Sequence, residues 1–330
     1  MAGLTASLAL PIPVGYGRSL PDEDKFGEIL PKRRLGTTGE YVTMLGTGGY
    51  HVGWTTDKDA QEVIETAIEG GIRFFDTAHN YANGRSEERY GKYLVPRYRD
   101  SIFLMTKTQA GDGKALLEEF ELSLRRLKTD HVDLLQLHSL KDPADTESRI
   151  DNGVIDAIRS IKESGKARYI GFTGHSNPEA LIKMMEINPD LKEFSTIQMP
   201  LNAIDFLSDH SFVRKALPMA LDHNLGVLAM KTLADGRFFG EKLQIDNLKW
   251  STETPLVPNY INIKDALHFA WSLPISVLIT GAENKDLLLE KIDLAKEFAA
   301  LTKEQKELII EKSLKAPDKI QIEYYKKPVT

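Results

Sequence analysis

Three successive apolar segments each end in a side chain that could take part in acid–base chemistry. Asp76 follows Phe74-Phe75, Lys107 follows a Leu-Met-Thr run, and His138 follows a run of Leu and Gln. A charged or polar group at the end of a buried strand is costly unless it is paired. Because the three side chains fall at the same phase of consecutive segments, we expect them to face one another at one end of a sheet.

Tyr81 lies five residues after Asp76 and can fold back over the same site. A phenol with its usual pKa of ~10 is a poor acid at neutral pH. We expect the Lys107 ammonium to lower the pKa of Tyr81, and the Asp76 carboxylate to hold that ammonium in place. A nearby histidine such as His138 can donate a hydrogen bond to a carbonyl oxygen. Such a set could protonate an alkoxide as it forms, which is the acid half of carbonyl reduction, while a cofactor would have to supply the hydride.

The elements that must position these side chains recur along the chain. Eight short runs rich in Val, Ile, Leu, Phe or Met are typical of strands buried on both faces. They cover residues 42–45, 73–77, 102–107, 132–138, 169–173, 195–199, 226–230 and 276–279. Amphipathic patterns with capping signals predict helices between and after them. These helices cover residues 57–69, 114–127, 153–163, 178–187, 212–223, 263–272, 285–299 and 302–313.

Strands that alternate with helices are typical of parallel βαβ units, and repeated right-handed crossovers close such a sheet into a barrel. An open doubly wound sheet would show a G-x-G-x-x-G turn, which Gly46-Thr47-Gly48-Gly49 matches only in part. We therefore predict a single α/β domain, a (β/α)8 TIM barrel over residues 31–315. An N-terminal arm of residues 1–30 precedes it, a C-terminal tail of residues 316–330 follows it, and residues 233–262 pass over the barrel mouth.

Composition excludes several classes of function. The net charge of −6 argues against a nucleic-acid or anionic-membrane partner. The absence of cysteine excludes disulfides, iron–sulfur clusters and thiol nucleophiles. No apolar stretch reaches the ~18 residues of a transmembrane helix. Residues 2–16 are apolar, but the first basic residue is Arg18, so we expect a surface arm and a cytoplasmic protein, with a trimmed export signal as the alternative.

Two motifs resemble the aldo-keto reductase signature, and the resemblance covers about residues 31–313. The first is Phe75-Asp76-Thr77-Ala78-x-x-Tyr81 followed by Gly84, Ser86-Glu87 and Gly91. The second is Ser123-Leu124-x-x-Leu127-x-Thr129-Asp130-x-Val132-Asp133-Leu134, which leads into Leu137-His138. The resemblance implies a TIM barrel, a nicotinamide cofactor and carbonyl reduction. It also implies that Asp76, Tyr81, Lys107 and His138 form the catalytic tetrad, with Tyr81 as proton donor.

The same resemblance implies a set of cofactor-binding residues. Gln198 matches a residue that binds the nicotinamide amide, and Met230 or Lys231 stands where many members carry a stacking aromatic. The full implied set is Thr173, Gln198, Met230, Lys231, Thr232, Leu233, Gly281, Glu283 and Lys285. NADP(H) is the favoured cofactor. NAD(H) is the alternative, because Gly281 and Leu287 stand at the usual basic positions and Glu283 could bind a ribose hydroxyl.

The remaining predictions concern the substrate. Tyr50, His51 and Trp54 after the first strand and His175 after the fifth are expected to line the pocket of a small carbonyl substrate. No metal site is predicted, because the His-x-His and H-E-x-x-H spacings are missing. A metal-dependent barrel hydrolase is thus the weaker alternative, beside a non-catalytic cofactor-binding subunit on the same fold. The substrate and the oligomeric state stay undetermined.

Overall fold

The computed structural model describes residues 22–191, 193–244 and 247–326. Eight parallel strands form a closed barrel in which each strand pairs with its neighbours in the chain and the first pairs with the last. The strands are Leu45–Gly48 (β1), Phe74–Asp76 (β2), Phe103–Thr108 (β3), Val132–Leu140 (β4), Ala167–Gly174 (β5), Thr196–Pro200 (β6), Gly226–Met230 (β7) and Val277–Thr280 (β8). The predicted (β/α)8 fold is confirmed. The apolar N-terminal residues 2–16, and with them the export-signal hypothesis, lie outside the described residues.

Helices connect and follow the strands. The α-helices are Gly49–Trp54 (α1), Asp57–Glu69 (α2), Arg85–Arg89 (α3), Val95–Tyr98 (α4), Gly113–Leu127 (α5), Pro143–Asp151 (α6), Val154–Glu163 (α7), Pro178–Leu191 (α8), Ala216–Asp222 (α9), Leu256–Asn259 (α10), Ile263–Trp271 (α11), Lys285–Lys296 (α12), Lys303–Leu314 (α13) and Lys319–Ile322 (α14). Short 3₁₀ helices lie at Tyr81–Gly84, Arg99–Ser101, Asp205–Leu207, Ala234–Gly236 and Tyr324–Lys326, and a π-helical turn lies at Tyr90–Leu94. Within the described residues, none of these helices combines the length and apolar character of a bilayer-spanning segment.

Three antiparallel strand pairs lie outside the barrel. They are Glu23–Asp24 with Gly27–Glu28, Lys32–Arg34 with Tyr41–Thr43, and Glu241–Gln244 with Asn247–Ser251. The second pair lies at the N-terminal end of the barrel, where Arg33 donates hydrogen bonds to the carbonyl oxygens of Trp271 and Ile275 at 2.8 and 3.0 Å. The third pair belongs to the predicted excursion over the mouth, where Lys242 and Leu243 line a cavity.

The predicted position of the first strand is wrong. Residues 41–43 form the outer hairpin, whereas the barrel strand is the glycine-rich β1. A Cβ atom added to Gly46 would come within 2.9 Å of side-chain carbons of Ile279 and Phe74. The interior therefore has no room for a side chain at Gly46, and a search for apolar runs cannot recognise such a strand.

The pleat of the strands decides which side chains face the barrel interior. Phe74, Met105 and Leu134 belong to one buried cluster inside the barrel, together with Leu35 and Val42. Because side chains alternate along a strand, Asp76 and Lys107 point inward two residues beyond these apolar groups. His138 follows Leu134 by four residues and shares that phase. The predicted phase match thus corresponds to one inward-facing layer at the C-terminal end of the barrel.

Local capping explains where the helices begin. Thr302 and Gln305 form a capping box at the start of α13, with hydrogen bonds of 2.8 and 3.2 Å. The helix predicted to begin at residue 212 begins at Ala216 instead. The Asp205 carboxylate accepts hydrogen bonds from the backbone N–H groups of Phe212 and Val213 at 3.0 and 2.8 Å, which holds those residues in a turn.

The described part of the C-terminal tail packs against the barrel. Lys326 is 8% exposed and forms ion pairs with Asp205 and Glu323. Glu323 also accepts a hydrogen bond from the side chain of Asn202, which follows β6, at 3.2 Å. These buried polar contacts fix the tail beside the C-terminal ends of the strands.

The segment between β2 and α4 depends on a close backbone contact at Gly91. A Cβ atom added there would lie 2.0 Å from the carbonyl oxygen of Arg126 in α5. We expect Gly91→Ala to lower the free energy of unfolding by about 1–3 kcal/mol or more, because backbone atoms must move. Urea denaturation measures the change. Gly111→Ala is the matched control, since its added Cβ would meet no atom within 4 Å. Equal stability of the two variants would contradict this account of the contact.

Candidate active site

The Lys107 ammonium lies at the centre of the site, and its three hydrogens are directed to three oxygen atoms. It pairs with the Asp76 carboxylate and donates to the Thr77 carbonyl at 2.8 Å and to the Tyr81 hydroxyl at 3.1 Å. Lys107 and Asp76 are 1% and 2% exposed. Because the Tyr81 oxygen accepts from Lys107, its own proton is free to be donated elsewhere. Among the described residues, no protein acceptor takes that proton.

A left-handed turn places Tyr81 over Asp76. The backbone φ angles of Ala82, Asn83 and Gly84 are +51°, +57° and +91°, a conformation that only glycine adopts at little cost. The turn is fastened by Ser86, whose hydroxyl lies 2.7 Å from the Thr77 hydroxyl and donates to the Gly49 carbonyl at 2.7 Å. The loop therefore returns the phenol to the end of the strand it has just left.

A buried carboxylate supports this loop from behind. Glu87 is fully buried and accepts hydrogen bonds from Thr106 at 2.6 Å and from Arg126 at 3.3 Å. Arg126 also donates to the His79 carbonyl at 3.0 Å, and a Cβ on Gly84 would collide with its guanidinium. Gly84 and Glu87 of the sequence motif thus act as scaffold for the loop that carries Tyr81.

Two histidines face each other across the ends of β4 and β5. The Nε2 atoms of His138 and His175 are 3.4 Å apart, and neither Nδ1 atom has a partner among the described residues. The His138 ring lies edge-to-face with Tyr81 at a centroid distance of 5.6 Å. Arg149, which the sequence analysis missed, donates to the His138 carbonyl at 3.0 Å and pairs with Asp145. Its position two residues before the end of a polar helix gives no sign of that role.

Burial controls the protonation of these groups. It lowers the pKa of His138 and His175 well below the usual value, and the cations Lys107 and Lys231 respectively add to this. Burial also raises the pKa of Asp76 and lowers that of Lys107, although each stabilises the charge of the other. Both imidazoles are thus neutral at neutral pH.

The expected lowering of the Tyr81 pKa is wrong. Burial, followed by the negative charge of Asp76, raises the pKa of Tyr81 well above its usual value. The ammonium of Lys107 cannot offset this, because Asp76 already balances its charge. The phenol is therefore protonated at neutral pH, which is the form in which a proton donor must start.

A cavity of about 850 Å³ opens above these side chains. Four pocket residues predicted from the sequence, Tyr50, His51, Trp54 and His175, line it. The other predicted residues on its wall are Asp76, Tyr81, His138, Gln198, Met230, Lys231, Thr232, Leu233, Gly281 and Glu283. Lys107 lies buried beneath the cavity and contacts Tyr81 from below.

Two predicted cofactor residues do not line the cavity. Thr173 is fully buried in β5, and its hydroxyl has no partner among the described residues. Lys285 lies outside and pairs with Glu62 of α2 at 3.4 Å. Lys291, one turn and a half further along the same helix, faces the cavity instead and donates to the Gly281 carbonyl. A lysine on the apolar face of a helix, beside Leu288 and Ile292, was the signal that could have identified it.

The side of the cavity at β8 is covered by His51. Its ring lies so close to Gly281 that a Cβ there would be 1.9 Å from Nδ1, and its Nε2 is 3.3 Å from the Glu283 carboxylate. Gly281, which belongs to the cofactor-binding set implied by the resemblance, thus contacts His51 in this arrangement. A ligand at Gly281 would require the His51 ring to turn away.

The long loop after β7 and the tail complete the wall. Asp235 pairs with Lys242 and accepts a hydrogen bond from Tyr324 at 2.8 Å. Burial alone would raise the pKa of Asp235, but Lys231 and Lys242 hold it at about 2. Asp235 is thus a fixed negative charge. Asp235, Lys242 and Tyr324 could not be predicted from the sequence, because no periodicity connects a loop with a tail.

Comparisons with known proteins agree with this geometry. The sequence model of the Aldo/keto reductase family matches residues 44–314. The chain belongs to this family. The resemblance found in the sequence is therefore confirmed. Among the described residues of this family member, no group of three or more His, Asp or Glu side chains could hold a metal ion.

Individual relatives are more distant. Aldo-keto reductase YhdN of Bacillus subtilis (strain 168) is 30% identical over 63% of this chain and 63% of its own length. Uncharacterized oxidoreductase YqkF of the same organism is 29% identical over 80% of this chain and 90% of its own length. The holo form of aldo-keto reductase AKR11C1 from Bacillus halodurans superimposes with a TM-score of 0.70 at 25% identity, covering 86% of this chain and 96% of that one.

The lowered histidine pKa values predict that acid weakens the fold. An unfolded histidine binds a proton below its usual pKa of ~6.5, whereas the native state resists protonation of His138 and His175. Their contribution to stability is therefore complete above that pH and is lost as the pH falls. We expect the urea-derived free energy of unfolding to decrease from pH 7 to pH 5.5. In His175→Gln the slope should be smaller by up to ~1.4 kcal/mol per pH unit. If His175→Gln leaves the pH dependence of the free energy of unfolding unchanged, His175 does not have the lowered pKa assigned to it.

Proposed function

We propose that this protein reduces an aldehyde or ketone to an alcohol, with a nicotinamide dinucleotide as hydride donor and Tyr81 as proton donor. The observation that carries the proposal is the hydrogen bond from the buried Lys107 ammonium to the Tyr81 hydroxyl, with Asp76 on the other side of the ammonium. Nothing in the packing of the barrel requires three ionisable groups to converge at its mouth. Their arrangement leaves the Tyr81 hydroxyl at the wall of the cavity, with its proton unclaimed by any protein acceptor among the described residues.

The roles of the protein groups follow from this geometry. When bound, the nicotinamide dinucleotide supplies the hydride that reaches the carbonyl carbon. A neutral His138 with hydrogen on Nε2 can donate a hydrogen bond to the carbonyl oxygen, which orients the substrate. Tyr81 gives its proton to that oxygen as negative charge develops there. Lys107 stabilises the phenolate that remains, and Asp76 keeps the ammonium in place.

Several side chains fit a nicotinamide dinucleotide. The Gln198 side chain donates to Asp76 at 3.5 Å, but its oxygen atom is buried and has no partner among the described residues. The buried Thr173 hydroxyl is equally without a partner there. An orphaned amide oxygen is suited to a ligand that carries an NH2 group. Met230 at the end of β7 offers an apolar surface for a ring. We favour NADP(H), with NAD(H) as the alternative.

Substitution of Tyr81 tests the proton donor. We expect Tyr81→Phe to lower kcat for carbonyl reduction by about 10²–10⁴-fold, because the phenyl ring keeps the shape but has no proton to give. Cofactor binding, measured by fluorescence titration, should stay within about twofold. Tyr169→Phe is the matched control, since its hydroxyl bonds Thr38 and Glu40 outside the cavity. Full activity of Tyr81→Phe would show that Tyr81 is not the proton donor. Cofactor binding without turnover in the unsubstituted protein would instead favour a non-catalytic subunit.

The choice of cofactor can be tested at Glu283. Its carboxylate is half exposed at the cavity edge beside His51. If Glu283 accepts from a ribose hydroxyl, Glu283→Gln should raise KM for NADH several-fold. If a 2′-phosphate binds nearby, the same substitution should lower KM for NADPH, because one repulsive charge is removed. Measuring KM for NADH and for NADPH in both proteins decides between these two binding modes. An unchanged KM for both cofactors would exclude Glu283 from cofactor binding.

A further inference from the structure

Lys231 stands at the mouth of the barrel in an unusual backbone conformation. It follows β7 directly, and its φ angle of +53° is left-handed. Its carbonyl oxygen accepts hydrogen bonds from the Asn202 side chain at 3.2 Å and from the Ala234 N–H at 2.8 Å. Such a conformation costs free energy at a residue other than glycine. The surrounding contacts therefore hold Lys231 in a defined position.

The tail fixes the other end of the side chain. The Lys231 Nζ atom lies 5.0 Å from the centre of the Tyr325 ring, and the Tyr325 hydroxyl donates to Glu323 at 3.0 Å. The aromatic face attracts the ammonium without neutralising it. Lys231 is thus positioned from both ends, while its charge stays available to a ligand in the cavity.

The other cations around the cavity are already engaged. Lys107 pairs with Asp76, Lys242 pairs with Asp235, and Lys291 donates to the Gly281 carbonyl. In the described part of the chain, Lys231 has no hydrogen bond from its ammonium and no ion pair with a carboxylate. Asp235 attracts it, but that carboxylate already holds Lys242 and Tyr324. Among the described lysines that line the cavity, Lys231 is thus the one whose ammonium makes no direct ion pair or hydrogen bond with the protein, although Asp235 attracts it.

This charge lies near the two histidines. The field of Lys231 acts on both His138 and His175, and the three side chains line the same cavity as Tyr81. His175 has a buried Nδ1 atom without a partner among the described residues. One wall beside the reacting position therefore combines a cation with an imidazole that has unused hydrogen-bonding capacity.

We propose that Lys231, assisted by His175, binds an anionic group that the carbonyl substrate carries close to its carbonyl carbon. A carboxylate or a phosphate is the group that fits a lysine point charge beside a neutral imidazole. This assignment rests on the proposed reduction and names the substrate class for it. It also differs from the cofactor-binding role that the sequence resemblance implies for Lys231.

Paired substrates with and without the anionic group test the assignment. Glyoxylate is compared with glycolaldehyde, and glyceraldehyde 3-phosphate with glyceraldehyde. In Lys231→Met we expect kcat/KM for the anionic member of at least one pair to fall by about 10–100-fold, the loss of one charged hydrogen bond. The neutral members should change by less than about threefold. Lys231→Arg should recover most of the loss, and which pair responds distinguishes a carboxylate from a phosphate.

Controls separate this role from others. Lys264→Met removes a surface lysine that pairs with Glu297 and should leave all four substrates unaffected. Cofactor dissociation constants are measured for every variant by fluorescence titration. Weaker cofactor binding in Lys231→Met would assign the lysine to a cofactor phosphate and overturn the proposal. An equal loss for charged and neutral substrates would also overturn it, because that result indicates a structural role.

A binding measurement keeps this test independent of turnover. Calorimetry of oxamate and of inorganic phosphate, each added to the cofactor-loaded full chain, should show at least one anion bound about tenfold more weakly by Lys231→Met than by the unsubstituted protein. Equal binding of both anions overturns the role of Lys231, whatever the activity. Lysine-dependent anion binding without reduction of any carbonyl compound would instead refute the proposed function and leave the anion site standing.

Discussion

The site depends on an ammonium group that has been removed from water and given three oxygen partners by the protein. A buried cation is tolerated only when its hydrogen bonds are made, and Lys107 makes them with Asp76, Thr77 and Tyr81. Each partner comes from the end of β2 or from the loop that follows it, while Lys107 comes from β3. The pairing of these two strands in register, with Asp76 opposite Met105, therefore determines whether the site forms.

Much of the sequence motif around Tyr81 serves to hold the phenol beside the Lys107 ammonium. Gly84 leaves room for Arg126, Ser86 ties the loop to Gly49, and Glu87 binds Arg126 and Thr106. None of these side chains needs to touch a substrate. A change at any of them would move the phenol relative to Lys107, and ångström-scale displacements are sufficient to disturb a proton transfer.

The barrel, its helices and the four central residues could be predicted because they follow short-range rules. Polar residues at matching positions near the ends of neighbouring strands, such as Asp76 and Lys107, predict that their side chains face the same barrel interior. The rule failed at β1, where crowding by Ile279 and Phe74 requires glycine in place of an apolar residue. It also failed for Asp235 and Tyr324, which meet from segments distant in the chain, and for Arg149, whose contact with the His138 carbonyl depends on the path of the loop between β4 and α6. The direction of the Tyr81 pKa shift was mispredicted because the sequence reveals neither how deeply the phenol is buried nor how completely Asp76 offsets Lys107.

The C-terminal tail contributes to the cavity wall through residues other than those that anchor it to the barrel. Its anchoring ion pairs, Lys326 with Asp205 and Glu323, do not involve Tyr324, whose hydroxyl donates to Asp235 at the wall of the cavity. Substitution of Tyr324 can therefore alter the shape and polarity of the cavity while the anchoring ion pairs and the eight strands stay untouched. Substrate selectivity can therefore change by mutation of a few residues in the tail. The layer of buried ionisable side chains inside the barrel need not change with it.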